Sequence, residues 1–290
     1  MNRSLKNIPF ILWYFVSGFI VVSVILFIFI YVFIKGFSSI NLEFILSSPK
    51  GTPLGMEGGI LPAILGSLAL MLIACISASI LGVAMAIFLC FYCKNKKIKG
   101  LVHLIVSTIA GIPSIVLGLF GYSFLVYFSG FGVSLISGGI TLGIMIFPYI
   151  EVITEKAILE VDKKLTLSSF ALGVDKCYTF FYIVIPQCKN EVFSGIIMSG
   201  GFAMGAVAPI MLTSAVVSTG NPNSLLSPVM ALPYHLYILV SQGVSFKKAY
   251  GTALVLLILL FLINLIGLLK KKTIVKSKVI LCLKDKLQII

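Results

Sequence analysis

The chain has 290 residues, of which 59% are hydrophobic and only 11% are charged, and its mean hydropathy is +1.15. A water-soluble domain carries about 25% charged residues, so this composition excludes an ordinary soluble protein and indicates an integral membrane protein. The formal net charge is nevertheless +13, from 22 Lys and Arg against 9 Asp and Glu. The basic residues must therefore be concentrated in the short segments between the apolar ones.

Apolar windows without charged side chains predict the membrane-spanning helices, because a bilayer core requires roughly 20 apolar residues per helix and disfavours ionised groups. A Ser-Gly-Phe-Gly turn composition at 129–132 divides one long window into two helices. We expect about six spans, near residues 10–34, 58–93, 101–127, 134–148, 192–216 and 249–269. The predicted fold is therefore an all-α, polytopic membrane helix bundle.

The distribution of basic residues predicts the orientation of this bundle. Eighteen of the 22 Lys and Arg residues fall in the terminal segments and in two of the predicted loops, which alternation of the spans puts on one side. The other side has only four, which are Lys35, Lys50, Lys247 and Lys248. By the positive-inside rule, both termini are cytoplasmic. The Lys-rich tail is then explained by topology and by contact with anionic lipid rather than by nucleic-acid binding.

Few residues of the sequence suggest chemistry. Cys90 and Cys93 form a C-x-x-C pair within an apolar helix, which favours packing over a zinc or redox site. His103 and His235 are isolated in the sequence, and we expect both to be ordinary polar residues. The membrane part has no P-loop, nucleophile elbow or pair of carboxylates. We therefore expect no enzyme activity, metal or cofactor in this chain.

The predicted cytoplasmic loop at 151–191 is long for a link between two helices, so we expect it to fold. A short helix is predicted at 164–172, ended by Gly173 in a left-handed conformation, and Asp175 can cap a second short helix that runs to about residue 185. Pro186 is expected to interrupt the backbone there. The second helix is rich in aromatic residues, which favours docking on a partner or on the bundle over an ordinary amphipathic linker.

At this loop the sequence resembles the coupling loop of ABC importer permeases. Gly173, nine further residues and then Ile-Val-Ile-Pro at 183–186 are similar to the pattern G-x9-I-x-L-P, and Leu-Ser-Ser at 167–169 stands at the family's Glu-Ala-Ala. The resemblance implies that the residues coupling this chain to an ATPase are Leu165, Ser168, Ser169, Ala171, Gly173, Asp175, Ile183 and Pro186.

Four more segments resemble the phosphate transport system permeases of the PstA and PstC type, especially PstA. Residues 57–67 resemble the pattern G-G-I-x-x-A-I-x-G-[ST], and residues 113–120 resemble P-S-I-V-x-G-L-F. Residues 148–155 are similar to P-x-x-x-R-T-T-E, and residues 205–209 to G-E-T-A-P. This resemblance implies a type I ABC importer permease fold.

The resemblance also implies how the chain is divided and with what it works. An N-terminal span with an extracytoplasmic loop (1–57) is followed by the permease core (58–269, with the coupling loop at 151–191) and a basic cytoplasmic tail (270–290). Such a permease imports phosphate across the plasma membrane of a prokaryote. Its partners are a second permease of the PstC type, an ATPase dimer that uses ATP and Mg²⁺, and an extracytoplasmic phosphate-binding protein. Ser114, Thr213 and Ser214 are the polar candidates for the solute pathway.

The departures from the family concern the solute. Two family arginines and one family glutamate are replaced by Val152, Phe202 and Ala206, although phosphate is usually bound by arginine. Either the partner permease supplies the anion-binding groups, or the importer carries a different solute. Glu155 retains the family's acidic position, and we expect it to be a packing or ion-pair residue at the cytoplasmic end of a span rather than a ligand.

Two alternatives from other classes of protein remain. A secondary transporter couples transport to ions through ionisable residues inside the membrane, and the sequence shows none in its predicted spans. A membrane scaffold that docks a cytoplasmic protein without transporting a solute would also account for the long loop.

Overall fold

The computed structural model describes residues 8–53 and 55–287, with side chains at 12–53 and 55–270. Its helices are α1 (Ile8–Phe37), α2 (Leu42–Leu46), α3 (Leu61–Ile87), α4 (Lys96–Gly111), α5 (Ser114–Gly121), α6 (Leu135–Leu159), α7 (Lys163–Ala171), α8 (Lys176–Tyr178), α9 (Ile185–Met204), α10 (Ala208–Thr213), α11 (Leu232–Ser241) and α12 (Phe246–Leu287). Short π-helical turns extend α3 (Phe88–Tyr92), α5 (Tyr122–Phe128) and α8 (Thr179–Val184). An antiparallel pair, β1 (Pro49–Lys50) and β2 (Glu57–Gly58), lies between α2 and α3. The predicted all-α helix bundle is confirmed.

Within the described ranges, four helices are long and apolar enough to cross a membrane: α1, α3 with its π-helical turn, α6 and α12. The pair α4 and α5 makes a fifth if it is counted as one span. The predicted span at 192–216 is divided, because α9 ends at Met204 and Pro209 lies in the first turn of a separate helix, α10. The chain is thus a multi-pass membrane protein, and four or five of its described helices pass this test of length and composition, against about six spans expected.

The predicted single helix at 101–127 is wrong. The structure has two helices, α4 and α5, which meet at an angle of 96°. The bend falls at Ile112, whose backbone is extended (φ −72°, ψ 129°), because the following Pro113 disfavours the helical conformation in the residue before it. The pair therefore forms either a broken span or a re-entrant loop.

Helix α6 is longer than predicted. It begins as expected, with the Ser134 hydroxyl accepting a hydrogen bond from the Ser137 N–H, but it continues through Pro148 to Leu159. Proline is tolerated within membrane helices where neighbouring helices satisfy the backbone carbonyl that loses its hydrogen bond. The first part of the predicted coupling loop is consequently a buried helical segment that carries Glu151 and Glu155.

The break expected at Pro186 is also wrong. Pro186 occupies the first turn of α9, where its missing N–H would have no helical partner in any case. The preceding residues Val184 and Ile185 have helical backbone angles, so the π-helical turn after α8 leads directly into α9. The end of the coupling segment and the start of α9 therefore form one continuous helical path.

Helices α3 and α6 form the centre of the bundle and approach each other through small residues. A Cβ atom on Gly139 of α6 would collide with Ile73 of α3, and one on Gly143 would collide with Ser77. Glycines at such contacts allow membrane helices to pack closely. Helix α9 packs across both, α12 packs on α9, and α1 contacts α12.

The two ends of the chain lie partly outside the described residues. The predicted basic tail at 270–290 continues α12 as far as Leu287, but its side chains beyond Lys270 are outside them, as are Arg3 and Lys6. Helix α1 is exposed along almost its whole length, which suits an apolar helix that faces lipid.

Candidate coupling surface and ion cluster

Two short helices, α7 and α8, form the coupling segment with the local geometry that the sequence predicts. Asp162 caps α7 by accepting a hydrogen bond from the Lys164 N–H, and Asp175 caps α8 by accepting one from the Tyr178 N–H. Between them Gly173 has φ +77°, a conformation that favours glycine, and nothing lies within 4 Å of the place of a Cβ atom. The corner at Gly173 is therefore strained for any other residue but sterically open.

The inner side of the coupling segment is anchored to the bundle. The Ser169 and Thr179 hydroxyls are buried and lie 2.7 Å apart, which joins α7 to the π-helical turn after α8. Phe180 is buried and packs edge-to-face on Phe91 at the end of α3, with ring centroids 5.3 Å apart. The aromatic helix thus docks partly on the bundle, which is one of the two arrangements that the sequence predicts; the other is docking on a partner.

The outer side of the coupling segment presents apolar side chains to solvent. We call it the coupling surface, and it comprises the exposed residues Leu165, Leu167, Leu172, Tyr178 and Tyr182. Leu172 is 83% exposed and Tyr182 is 69% exposed, values unusual for such side chains in a segment outside the bundle. An exposed apolar patch on a segment between two long helices is typical of a protein interface.

The other residues of the predicted coupling motif are distributed over both sides. Ser168, Ala171, Gly173, Asp175 and Pro186 are exposed, Ile183 is half-buried, and Ser169 is buried. The motif therefore combines a docking face with one internal anchor, the Ser169 hydroxyl.

The predicted pathway residues do not lie together on one surface. Ser114 is exposed at the first residue of α5. Thr213 and Ser214 are fully buried, and their hydroxyls donate to the carbonyls of Pro209 (2.7 Å) and Ile210 (3.3 Å). Thr213 and Ser214 thus lie inside the bundle, whereas Ser114 is exposed on its surface, and the role of all three in the pathway stays a prediction.

The positions of the lost family charges form an apolar surface. Val152 is exposed on α6, and one turn earlier the Tyr149 ring packs against Phe202 with centroids 5.2 Å apart. A groove of about 680 Å³ runs beside them between α4 and α6, and His103 is the one basic side chain among the described residues that line it. This groove offers a phosphate no arginine or lysine.

An ion cluster lies at the end of this groove, and the sequence does not predict it as a unit. The Lys99 ammonium is 2.8 Å from one Glu155 oxygen, and His103 Nε2 is 3.6 Å from the other. Glu151, one turn before Glu155, is fully buried. The expected ion pair of Glu155 is confirmed, whereas the expectation that His103 is isolated is wrong. The signal in the sequence is a repeated four-residue spacing, Lys99 to His103 and Glu151 to Glu155.

The opposite end of the bundle carries a second group of ionisable side chains. The Lys248 ammonium donates to the Gly58 carbonyl at 2.7 Å and thereby ties α12 to the β-hairpin. A polar groove of about 560 Å³ beside it is lined by both acidic and basic residues, including Glu43, Glu57 and Lys50. His235 of α11 is buried, and this burial, together with the nearby Lys248 charge, lowers the pKa of His235 to about 4.

Comparison with known proteins finds relatives along most of the chain. Residues 78–276 match the family described as binding-protein-dependent transport system inner membrane component. The chain is 27% identical to the probable ABC transporter permease protein YqgI of Bacillus subtilis (85% of this chain, 88% of the relative). It is 30% identical to the probable phosphate transport system permease protein PstA of Methanocaldococcus jannaschii (70% and 72%), and 27% identical to PstA of Mycobacterium leprae (92% and 89%).

Solved structures of similar fold come from other importers. An inward-facing form of the MetNI methionine ABC transporter superposes with a TM-score of 0.61 at 18% identity, covering 74% of this chain and 95% of the other. An amino acid ABC transporter superposes with a TM-score of 0.52 at the same identity, covering 75% and 92%. At this identity the likeness concerns the fold, which is that of the type I ABC importer permeases.

Proposed function

Because the chain belongs to the family of binding-protein-dependent transport system inner membrane components and is a PstA-like ABC importer permease, we propose that it forms one half of a phosphate pathway driven by a separate ATPase. The single observation that carries the proposed coupling is the coupling surface on its internal anchor. It combines exposed apolar side chains for a partner with a buried Ser169–Thr179 contact inside the segment and with the packing of Phe180 on Phe91 of the bundle.

The proposed ATPase dimer docks on the coupling surface from the cytoplasm. An ATPase that closes on ATP and Mg²⁺ would displace α7 and α8, and the continuous helical path from α8 would carry this displacement into α9. The chain itself is then a non-enzymatic subunit, and its work comes from the partner. In the proposed orientation both termini and the coupling surface face the cytoplasm of a prokaryotic cell. The distribution of basic residues supports this orientation.

Phosphate is the proposed solute because several relatives are named phosphate transport permeases. The apolar groove at Tyr149 and Val152 supports a division of labour, in which a second permease of the PstC type supplies the arginines that bind the anion. An extracytoplasmic phosphate-binding protein delivers the solute to the opposite end, where the mixed-charge groove beside Lys248 faces outward.

A different solute is the second candidate function. The specific observation in its favour is the replacement of three charged family positions by Val152, Phe202 and Ala206. If the second permease lacks the arginines as well, a less charged solute becomes the better proposal.

Reconstitution tests the proposal. The permease, its second permease, the ATPase and the binding protein are incorporated in proteoliposomes, and uptake of labelled phosphate is measured with ATP, without ATP and with an ion gradient alone. We expect uptake only with ATP and with all four subunits. Uptake on an ion gradient alone would indicate a secondary transporter, absence of uptake of any solute would indicate a scaffold, and uptake of labelled amino acids instead of phosphate would indicate the different solute.

A further inference from the structure

The ion cluster between α4 and α6 has the composition of a metal site. We propose that His103, Glu151 and Glu155 bind one divalent transition-metal cation, of the class of Zn²⁺ or Mn²⁺, at the cytoplasmic end of the bundle. The expectation of no metal in this chain rested on the isolation of the two histidines in the sequence and on the lack of paired carboxylates in the predicted membrane part. The fold brings them together from two helices.

The geometry of the cluster fits one cation. Each of the three residues offers a ligand atom, and these atoms all lie within 4.8 Å of one another. Bonds of about 2.0 to 2.2 Å to nitrogen and oxygen place two ligands of one cation roughly 3 to 4 Å apart. Rotation of the half-exposed His103 side chain would close the remaining gap.

Glu151 gives a second and independent reason for a ligand. Its side chain is fully buried, and neither of its carboxylate oxygens has a hydrogen-bond partner among the described residues. Helix α3 packs closely on α6 at this point, since a Cβ atom on Gly82 would lie 3.1 Å from the Glu151 backbone nitrogen. An ionised carboxylate without a partner is costly to bury, and a bound cation removes that cost.

The charges around the cluster favour a divalent cation and define its class. In their ionised forms Glu151 and Glu155 supply two negative charges, Lys99 carries one positive charge, and His103 binds metals in its neutral form. The Lys99 ammonium contacts one Glu155 oxygen and leaves the other directed at His103. One imidazole with two carboxylates suits zinc, manganese or iron better than calcium or magnesium, which prefer oxygen ligands alone.

The cluster is open to entry of a cation from one side. A groove of about 490 Å³ is lined by Lys99, His103, Glu155 and the exposed end of α6, including Glu160. A cation bound here would cross-link α4 to α6 immediately before the coupling segment. The site does not depend on which solute the importer carries, so its failure would leave the proposed function unaffected.

Zinc binding by the purified full-length chain in lipid nanodiscs tests the proposal, after removal of any affinity tag. Zn²⁺ is titrated against a competing chelator, and Co²⁺ absorption reports the ligand geometry. We expect one tight site per chain, weakened at least tenfold in Glu151→Gln and in His103→Gln. The matched control is Glu160→Gln, which removes an exposed carboxylate from the same end of α6 and should bind Zn²⁺ as the unaltered chain does.

Zn²⁺ binding that is absent, or that is equal in the unaltered chain and in Glu151→Gln, would overturn the proposal. If Glu151→Gln fails to fold, His103→Gln decides, because His103 lies at the half-exposed edge of the cluster.

Discussion

The ionisable side chains at the two ends of the bundle differ in their hydrogen-bond partners and in their burial. At the end with the β-hairpin, Lys248 is hydrogen-bonded to the Gly58 carbonyl, and His235 is buried with a pKa that keeps it neutral. At the end with the coupling segment, Glu151 is buried with no hydrogen-bond partner among the described residues, and apolar side chains of the coupling surface are exposed. The first end is completed by the chain itself, whereas the second has features that a cation and a partner protein would complete.

The largest expected effect concerns the coupling surface. Gly173→Leu forces a side chain into a left-handed conformation at the corner between α7 and α8, and we expect at least a tenfold loss of ATPase association, with loss of uptake. Pull-down of the ATPase from membranes measures this. Gly243→Leu is the matched control, because Gly243 also has positive φ (+63°) and open space around it but lies at the other end of the bundle. Normal ATPase pull-down with Gly173→Leu would contradict the proposed docking.

The second effect is a dependence of stability on pH at the β-hairpin end. The folded-state pKa of His235 is about 4, below the unfolded value of about 6.5, so the unfolded chain binds a proton that the folded chain excludes. Protonation of His235 therefore does not reduce the free energy of unfolding above pH 6.5. As the pH falls from 6.5 towards 4, the unfolded chain takes up the proton, and the free energy of unfolding decreases by about 3 kcal/mol at most.

Thermal unfolding in nanodiscs between pH 7.5 and 4.5 checks this prediction. His235→Gln should lose less stability over that interval than the unaltered chain. Equal losses in the two chains would show that other groups determine the acid sensitivity.

A smaller effect is expected from the bond between α12 and the hairpin. Lys248→Met removes the donor to the Gly58 carbonyl and should lower the free energy of unfolding by about 1 kcal/mol, since the lysine is half-exposed. The exposed neighbour Lys247→Met is the control and should have no measurable effect. The comparison of the two thermal midpoints decides, and equal midpoints would mean that the hairpin is held by packing alone.

The smallest effect is expected from the anchor of the coupling segment. Ser169→Ala removes one hydroxyl of the buried pair, while the Thr179 hydroxyl keeps its bond to the Asp175 carbonyl. We expect a loss of about 0.5 to 1 kcal/mol. Hydrogen exchange of residues 169–180 should increase in Ser169→Ala and not in the exposed control Ser168→Ala. Unchanged hydrogen exchange in Ser169→Ala would show that the Ser169–Thr179 contact does not hold the coupling segment in place.

The sequence predicts features of this fold that depend on neighbouring residues. Gly173 and Asp175 shape the coupling segment through backbone conformation and capping, which are local effects, and both are found as expected. Apolar windows likewise predict most of the long helices. The bend at Ile112 and the passage of α6 through Pro148 are missed, because hydropathy does not distinguish a proline that breaks a helix from one that neighbouring helices accommodate.

The ion cluster is missed for a different reason. Its members come from α4 and α6, and only the packing of these helices brings His103 beside Glu155. Glu151 follows Pro148 closely, so a helix ending at that proline would have exposed it to water as part of a loop. Its actual burial could be inferred only from the continued helix and from the close approach of Gly82 on α3.

The continuous helical path into α9 means that a displacement of the coupling segment would rotate α9 about its contacts with α6 and α3. Helix α9 has 20 residues and is therefore about 30 Å long. Near its middle Gly195 packs closely against Ile153 of α6, and further along Gly200 packs closely against Cys75 of α3. These two contacts hold the helix at a point about which it could pivot. A displacement of about 2 Å at the end next to the coupling segment, typical of helix shifts at subunit interfaces, would tilt a rod that pivots about 15 Å away by about 8°. The far end of α9 would then move in the opposite direction, so a push on the coupling segment would produce an opening or closing movement near Phe202.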